Sequence, residues 1–570
     1  MTRHDETPAA TSKASMTGTA APGVFAAAGL IAVLTLVARV VGFGRWLVFS
    51  QSVGTTCVGS VYQAANQLPN VIFEVAAGGA LAAVVVPIIA GQLARPNSGA
   101  TQNSAEAAQT ASAMLTWTLA VLVPLSILMA ASARPLASFM VDDQRCSGST
   151  DLMASMIVVF SPQIALYGVG IVLAGVLQAH RRFLGVVLAP LLSSLVVMAA
   201  YLMFGALAQG KGNDLARLPS RASMALALGT TLGVAVLSLS LLIPVHRAGV
   251  RLRPTWTFPD GVARRASALA GAGLLALFAQ QVAVLVTLWV SQHRGGTGTL
   301  NVYVYAQAIY LLPYAVLAVP FAMSALPALA TGLDQAVLAT APVQASFARA
   351  QSTLASSARA IIVATSAGAA VLFAIASPTG AFFSALDAGR HNPHGIAALA
   401  ALPGALSAFA PGLVGFGMAA LLTRALYVQG RPAVAGGLVA LGWFIAAIVP
   451  LLVLQSDAGP RSTLIALGLA SSLGMTVAAL GLFVAVRRTW GVKAFRGFGR
   501  SAVVACGAGL FSAAVGRGLA AVLHPQGLVA GAVVAALVAV VVAMLFAGSI
   551  WIGDRGSARL ALAKLPGRAR

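Results

Sequence analysis

The sequence predicts an all-α polytopic membrane protein of about fourteen transmembrane helices, built as two six-helix lobes followed by two further helices. Three observations carry this. Of 570 residues, 59% are hydrophobic and 8% charged, with a mean hydropathy of +0.90. Soluble domains run about 45–50% apolar and about 25% charged, so this chain has too few charges to cover itself in water. The apolar residues fall in runs of roughly 20, the length that crosses a hydrocarbon core as a helix. Lipid demands that every backbone polar group be satisfied internally, which helices do. Finally, proline-bearing motifs recur in two halves of the chain. Together these exclude a soluble enzyme, a disordered chain and a coiled coil.

The elements follow in order. Residues 1–22 are polar, rich in Ser, Thr and Ala, and read as a disordered cytosolic tail. The apolar run 24–48 holds Arg39 and Arg45 and meets no cleavage site, so it reads as a retained first helix and not a signal peptide. Runs at 66–92, 109–131, 152–178, 184–206 and 223–245 complete an N-lobe over 23–247. Residues 248–265 form a basic cytosolic linker. Runs at 267–291, 301–331, 354–377, 403–428, 433–455 and 462–486 build a C-lobe over 266–488. Two last runs, 501–522 and 527–551, form a unit over 489–552, and residues 553–570 are a second basic tail.

Internal duplication supports the six-and-six division. Phe160-Ser161-Pro162, Tyr167-Gly168 and Arg182 match Phe409-Ala410-Pro411, Phe416-Gly417 and Arg431 at one offset of 249 residues. Leu68-Pro69 near the start of helix two has a counterpart in Leu312-Pro313 of helix eight, and each is followed by a second proline, Pro87 or Pro327. Proline removes a backbone hydrogen bond and kinks its helix. Kinks at matching places fit helices that bend during a conformational cycle, with bending expected at Gly42, Pro69 and Pro313.

The chain carries 35 Lys and Arg against 13 Asp and Glu. With the N-terminus in the cytosol, 23 of the 35 fall on the inner side, 9 on the outer, and Arg39, Arg45 and Arg424 inside helices. This is the positive-inside bias of a plasma (inner) membrane protein with both termini cytosolic. No basic stripe interleaved with aromatics points to nucleic acid. The three cysteines, Cys57, Cys146 and Cys506, are scattered, and an odd count without a CxxC pair argues against a disulfide framework or metal site. They read as structural filler.

Charges at bilayer depth are costly, at least ~2.5–3.5 kcal/mol on insertion scales, and are usually paired or functional. Arg39 lies about fifteen residues into helix one, well inside the bilayer at roughly 1.5 Å per residue. Arg45 is two turns further, with Gly42 and Gly44 between them. Glu74 lies in helix two and Arg424 in helix ten. Two readings stand. Glu74 pairs with one arginine while Arg45 and Arg424 snorkel to opposite interfaces. Alternatively, the arginines line a cavity for an anionic group such as a diphosphate, which the guanidinium fork matches bidentately.

Arg39-Val40-Val41-Gly42-Phe43-Gly44-Arg45 resembles the R-x-x-G-F-x-R signature of the MurJ/MviN family, lipid II flippases of the MOP exporter superfamily. Gln67-Leu68-Pro69-Asn70, Ala77-Gly78-Gly79-Ala80-Leu81, Val86-Pro87, Tyr305-Ala306-Gln307, Leu312-Pro313-Tyr314-Ala315 and Arg424-Ala425-Leu426-Tyr427 extend the resemblance over about residues 24 to 550. The resemblance implies a V-shaped, MOP-type pair of lobes, with the last two helices forming a groove for a polyprenyl tail. It also implies that lipid II, an undecaprenyl-diphosphate-linked peptidoglycan precursor, moves from inner to outer leaflet by alternating access for cell-wall synthesis. Arg39 and Arg45 match the diphosphate-binding candidates; Glu74 and Arg424 complete the expected substrate contacts. The chain departs from the family where Ser60 replaces an acid, Phe73 an arginine, and Gln307-Ala308 an Asp-Arg pair. Helices seven and eleven lack the acids that bind sodium in some members.

Other readings remain open. Another MOP-superfamily exporter, of a polysaccharide lipid or a drug, would more readily carry a membrane acid than the lone Glu74. A non-transporting cell-wall scaffold would tolerate loss of both arginines. An enzyme needs clustered carboxylates or metal ligands. Only Asp142-Asp143 cluster, as solvated loop acids, and His391 and His394 have no third partner. No catalytic residue, metal or cofactor is therefore expected. The expected partners are lipid II, membrane lipids, and cell-wall synthesis or division proteins.

Overall fold

The structure, a computed structural model, describes residues 22–94, 100–259, 274–323, 329, 343–387 and 393–556. The N-terminal tail before residue 22, Pro327, His391, the end of the linker and the tail beyond residue 556 lie outside the described residues. Among the described residues every regular element is helical. Eleven helices are long and apolar enough to cross a membrane, or twelve if the bent pair at 395–428 is one span. The expected runs 24–48 and 66–92 are helical too but fall outside that count.

Helix α1 (Pro22–Ser52) is unbroken through Gly42 and Gly44. Gly54, with φ 65°, makes the turn into α2 (Cys57–Phe73), and the Thr56 hydroxyl caps α2 by accepting from Gly59 N at 3.1 Å. A π-helical turn π1 (Glu74–Gly78) joins α2 to α3 (Gly79–Leu93). The rest of the first half is α4 (Ala100–Ala131), α5 (Ala133–Met140), α6 (Ser149–Phe160), α7 (Gln163–Ala179), α8 (Phe183–Ala208), α9 (Ser220–Leu239) and α10 (Leu242–Arg247). The second half begins with α11 (Leu274–Val290), which ends in π2 (Ser291–Gly295). Then come α12 (Thr299–Pro313) with π3 (Tyr314–Ala318), α13 (Val343–Ala374), α14 (Ala376–Asp387), α15 (Pro393–Ala400), α16 (Leu402–Phe409) and α17 (Gly412–Val428). Gly430, at φ 68°, turns the chain into α18 (Pro432–Val453), which starts with proline at its first position, where no amide hydrogen is needed. The chain ends in α19 (Gly459–Trp490), α20 (Phe498–Leu523) and α21 (Leu528–Gly553).

The matching motifs occupy matching irregularities. Ser161-Pro162 breaks α6 from α7, and Ala410-Pro411 breaks α16 from α17 with a bend of 47°. Each break is closed by a hydroxyl from a neighbouring helix. Thr231 of α9 donates to Val159 O at 2.9 Å and accepts from Gln163 Nε2 at 3.0 Å. Ser472 of α19 donates to Ala408 O at 2.6 Å and accepts from Gly412 N at 3.0 Å. Backbone groups freed by a break in an apolar surround must find such partners.

The helices pack mainly within their own half: α8 on α9 and α1, α7 on α3 and α4, α18 on α11 and α19, and α13 on α17 and α20. The largest core cluster nonetheless draws on both halves. Phe49, Tyr62, Phe160 and Tyr201 are buried with Tyr305, Phe383 and Phe409. This joint lies at the end of the molecule where α1 turns into α2.

Candidate functional site

At that end a set of polar contacts seals one half against the other. Thr55 N and Oγ1 donate to Asp387 Oδ2, at 3.4 and 2.5 Å, all buried. Asn301 Nδ2 donates to Gly54 O at 2.7 Å. Ser60 accepts from Gly298 N at 2.8 Å through its hydroxyl and from Gln292 Nε2 at 3.1 Å through its carbonyl. A neutral Ser60 therefore suffices to hold α2 against the start of α12. The segment between α5 and α6 reaches over the seam, where Arg145 donates to His293 O at 2.9 Å.

Cys57 and Cys146 form a disulfide beside this seam. This corrects the reading of all three cysteines as filler. The spacing gave no signal, because Cys146, 89 positions further on, returns to α2 only through the packing of α5 and α6. Cys506 is free and exposed.

Away from the seal, Arg45 lies half-buried over the Trp46 ring, 5.2 Å from its centroid. Its Nε is buried and has no hydrogen-bond partner among the described residues. Its charge acts on the hydroxyls of Tyr62, Tyr167 and Tyr201, which places it among α1, α2, α7 and α8. Tyr62 OH is itself 3.0 Å from both Tyr201 OH and Thr230 Oγ1. Arg39, further along α1, is exposed, beside Val40 at 64% exposure. Glu74 is half-buried at the start of π1, and its carboxylate folds back over Gly78. No ion pair joins Glu74 to either arginine among the described residues. Arg424 donates to the Ala420 carbonyl one turn back at 2.5 Å and to Met323 Sδ at 3.4 Å, and its charge acts on Tyr314 and Tyr427.

Of the expected bending points, Pro69 lies inside α2 one turn before π1, and Pro313 ends α12 where π3 begins. Gly42 sits in continuous helix, with open space where a Cβ would stand. Single π-helical turns inside membrane spans often mark functional positions. Sequence reasoning missed the sealing residues Thr55, Asn301 and Asp387, which look like ordinary loop and helix-end polars until packing brings them together.

A second feature is an apolar groove of about 720 Å³ in the second half. Ile362, Phe373, Pro411, Met418, Leu480 and Phe498 are among its walls, which come from α13, the break between α16 and α17, α17, α19 and α20. Helix α20 supplies one wall, and no residue of α21 lines it.

The fold is a bundle of membrane-length helices whose two halves are sealed against each other at one end. The structure resembles a lipid II flippase MurJ in an inward-closed conformation, with TM-score 0.68 and 16% identity over 92% of this chain and 99% of that one. It also resembles an inward-facing multidrug resistance MATE family transporter of the MOP superfamily (TM-score 0.59, 14% identity, 80% and 98% covered). A MOP superfamily transporter from Pyrococcus furiosus matches at TM-score 0.57 and 14% identity, covering 81% and 94%. The family model for lipid II flippase MurJ matches residues 49–538, and the chain belongs to that family. The match begins after Arg39 and Arg45, so their assignment rests on the motif alone.

Proposed function

We propose that the chain flips lipid II from the inner to the outer leaflet by alternating access, with Arg39 and Arg45 holding the diphosphate. The observation that carries this is Arg45 on α1, whose buried Nε has no hydrogen-bond partner among the described residues, with Arg39 exposed on the same helix. A phosphate oxygen supplies the acceptor that Nε lacks. Glu74 and Arg424 lie further from the seal, where they contact the headgroup as it enters. Pro69 and Pro313, each followed by a π turn, are where the facing helices bend, and Gly42 adds freedom in α1. The apolar groove beside α20 suits a polyprenyl tail that stays in contact with lipid.

The sealed end faces the outside in this reading. Two independent features support it: the excess of Lys and Arg on the other side, and the disulfide, which persists in oxidising compartments. The protein is thus a multi-pass protein of the plasma (inner) membrane with cytosolic termini, and a carrier, not an enzyme. Lipid II and membrane lipids are its expected partners, with cell-wall synthesis or division proteins as candidate protein partners.

Complementation of cells depleted of their own lipid II flippase tests this. The wild-type chain rescues, and Arg39→Ala and Arg45→Ala fail at equal membrane expression. Rescue by both variants would leave the diphosphate assignment without support. Failure of well-expressed wild type would favour another MOP exporter or a non-transporting scaffold.

A further inference from the structure

Polar side chains on α2 recur at helical spacing: Gln63, Asn66, Gln67, Asn70 and, at the first residue of π1, Glu74. Such residues share one face. On α12 the same spacing holds Tyr303, Gln307, Tyr310 and, at the first residue of π3, Tyr314. Gln63, Gln67, Asn70 and Glu74 map onto these four at one offset of 240 residues. Helices α2 and α12 pack on each other across the two halves, tied by the Ser60–Gly298 bond. Both stripes therefore start at the seal and run away from it in the same direction.

The stripes go from dry to open. Gln63 is 1% exposed, Asn66 and Gln67 are half-buried, and Asn70 is exposed. Gln63 Nε2, Asn66 Oδ1 and Tyr310 OH are buried with no hydrogen-bond partner among the described residues. Unpaired polar atoms at this depth are costly and call for a partner. Tyr314 and Tyr310 form an aromatic wall with Phe416 of α17, at centroid distances of 4.3 and 6.4 Å. Counting from Ser52, Cys57 and Thr299 at roughly 1.5 Å per residue, Arg39, Asn70 and Tyr310 stand at a similar depth, about 17–20 Å from the seal.

We propose that these two stripes recognise the uncharged part of the headgroup, the hydroxyl- and amide-rich sugars, separately from the diphosphate. This rests on the flippase reading above and adds the specificity-determining residues. Carboxamides both donate and accept, as hydroxyl and N-acetyl groups require. Tyrosine rings offer a flat apolar face with a polar edge, suited to a sugar ring. Glu74 is the one acid on the stripes, so neither is a cation site.

The test compares binding of three lipids to the full-length protein in lipid nanodiscs: undecaprenyl diphosphate, the same lipid with the disaccharide alone, and with disaccharide plus peptide. Wild type is expected to prefer the disaccharide lipid over the bare diphosphate by about tenfold or more. Gln67→Leu and Asn70→Leu erase that preference while binding bare undecaprenyl diphosphate as wild type does, which also reports that they fold. A preference gained only with the peptide, or a sugar preference that survives both substitutions, overturns the proposal. Equal wild-type affinity for all three lipids overturns it too, leaving the flippase reading on diphosphate recognition. Wild type binding none of them overturns both.

Discussion

Ser472 and Thr231 show what one hydroxyl does inside a broken membrane helix. Each bridges groups on both sides of a proline break, Ser472 through two backbone partners and Thr231 through one backbone carbonyl and the Gln163 side chain, and neither carries a sequence signal, since partners appear only when helices far apart in the chain are packed together. Ser472→Ala leaves Gly412 N and Ala408 O without that partner in a buried place. An unsatisfied buried group costs about 1–3 kcal/mol, so the variant should unfold at a measurably lower temperature in detergent, while Ser472→Thr should retain most stability. Asp143 is another residue whose role the sequence concealed. It reads as a solvated loop acid, yet its carboxylate accepts from Thr150 N and Ser149 Oγ, both at 2.8 Å, at the start of α6. The Thr150 backbone bond chiefly holds its carboxyl below the usual range, against a smaller opposing push from burial, with the Ser149 hydroxyl helping. A depressed value means the cap is present above the ordinary carboxylate range and lost as pH falls through the folded value. Acidification should therefore increase hydrogen exchange at the start of α6, and Asp143→Asn should remove that pH dependence. The arginines of α1, by contrast, were legible at once, because charge in an apolar run needs no tertiary context to stand out.

Among the helices, proline marks where the chain is interrupted, while the glycines of α1 leave it continuous. Pro162 and Pro411 sit at the breaks between α6 and α7 and between α16 and α17, while α1 is unbroken at Gly42. The π turns at Glu74 and Tyr314 follow Pro69 and Pro313, but composition alone distinguishes no π turn from α-helix. Glycine matters more where helices touch. A Cβ on Gly442 of α18 would lie 2.6 Å from Gly474 O of α19, and one on Gly474 would collide with Gly442 O. Small residues permit this close approach, which drives association where lipid removes the hydrophobic contribution. Gly474→Leu should separate α18 from α19 and lower thermal stability by more than Gly437→Leu, since a Cβ on Gly437 meets open space. The groove beside α20 was anticipated only as a property of the last two helices; its walls come mainly from α13, α17 and α19, which sequence proximity to α20 could not reveal.

Taken as a whole, the molecule is closed at one end by a few hydrogen bonds spread over Thr55, Ser60, Gln292, Asn301 and Asp387. A carrier must break all of them to open that way. Cross-linking Thr55→Cys to Asp387→Cys, in a chain with the native cysteines replaced by alanine, should abolish rescue of flippase-depleted cells, and a reductant should restore it. The fold class and the recurrence in two halves could be read from hydropathy and proline placement, because both are local. The seal could not, because it joins residues up to 332 positions apart. The Cys57–Cys146 bond extends this to the life history of the protein. In the orientation proposed above, Cys57 reaches the outer side before Cys146, which lies 89 positions further on, and stays a free thiol until that segment follows. That orientation makes membrane insertion and completion separate events, the second depending on an oxidant outside the cell's reducing interior. A host that lacks such an oxidant would accumulate inserted but unfinished chains, distinguishable on a non-reducing gel after thiol alkylation.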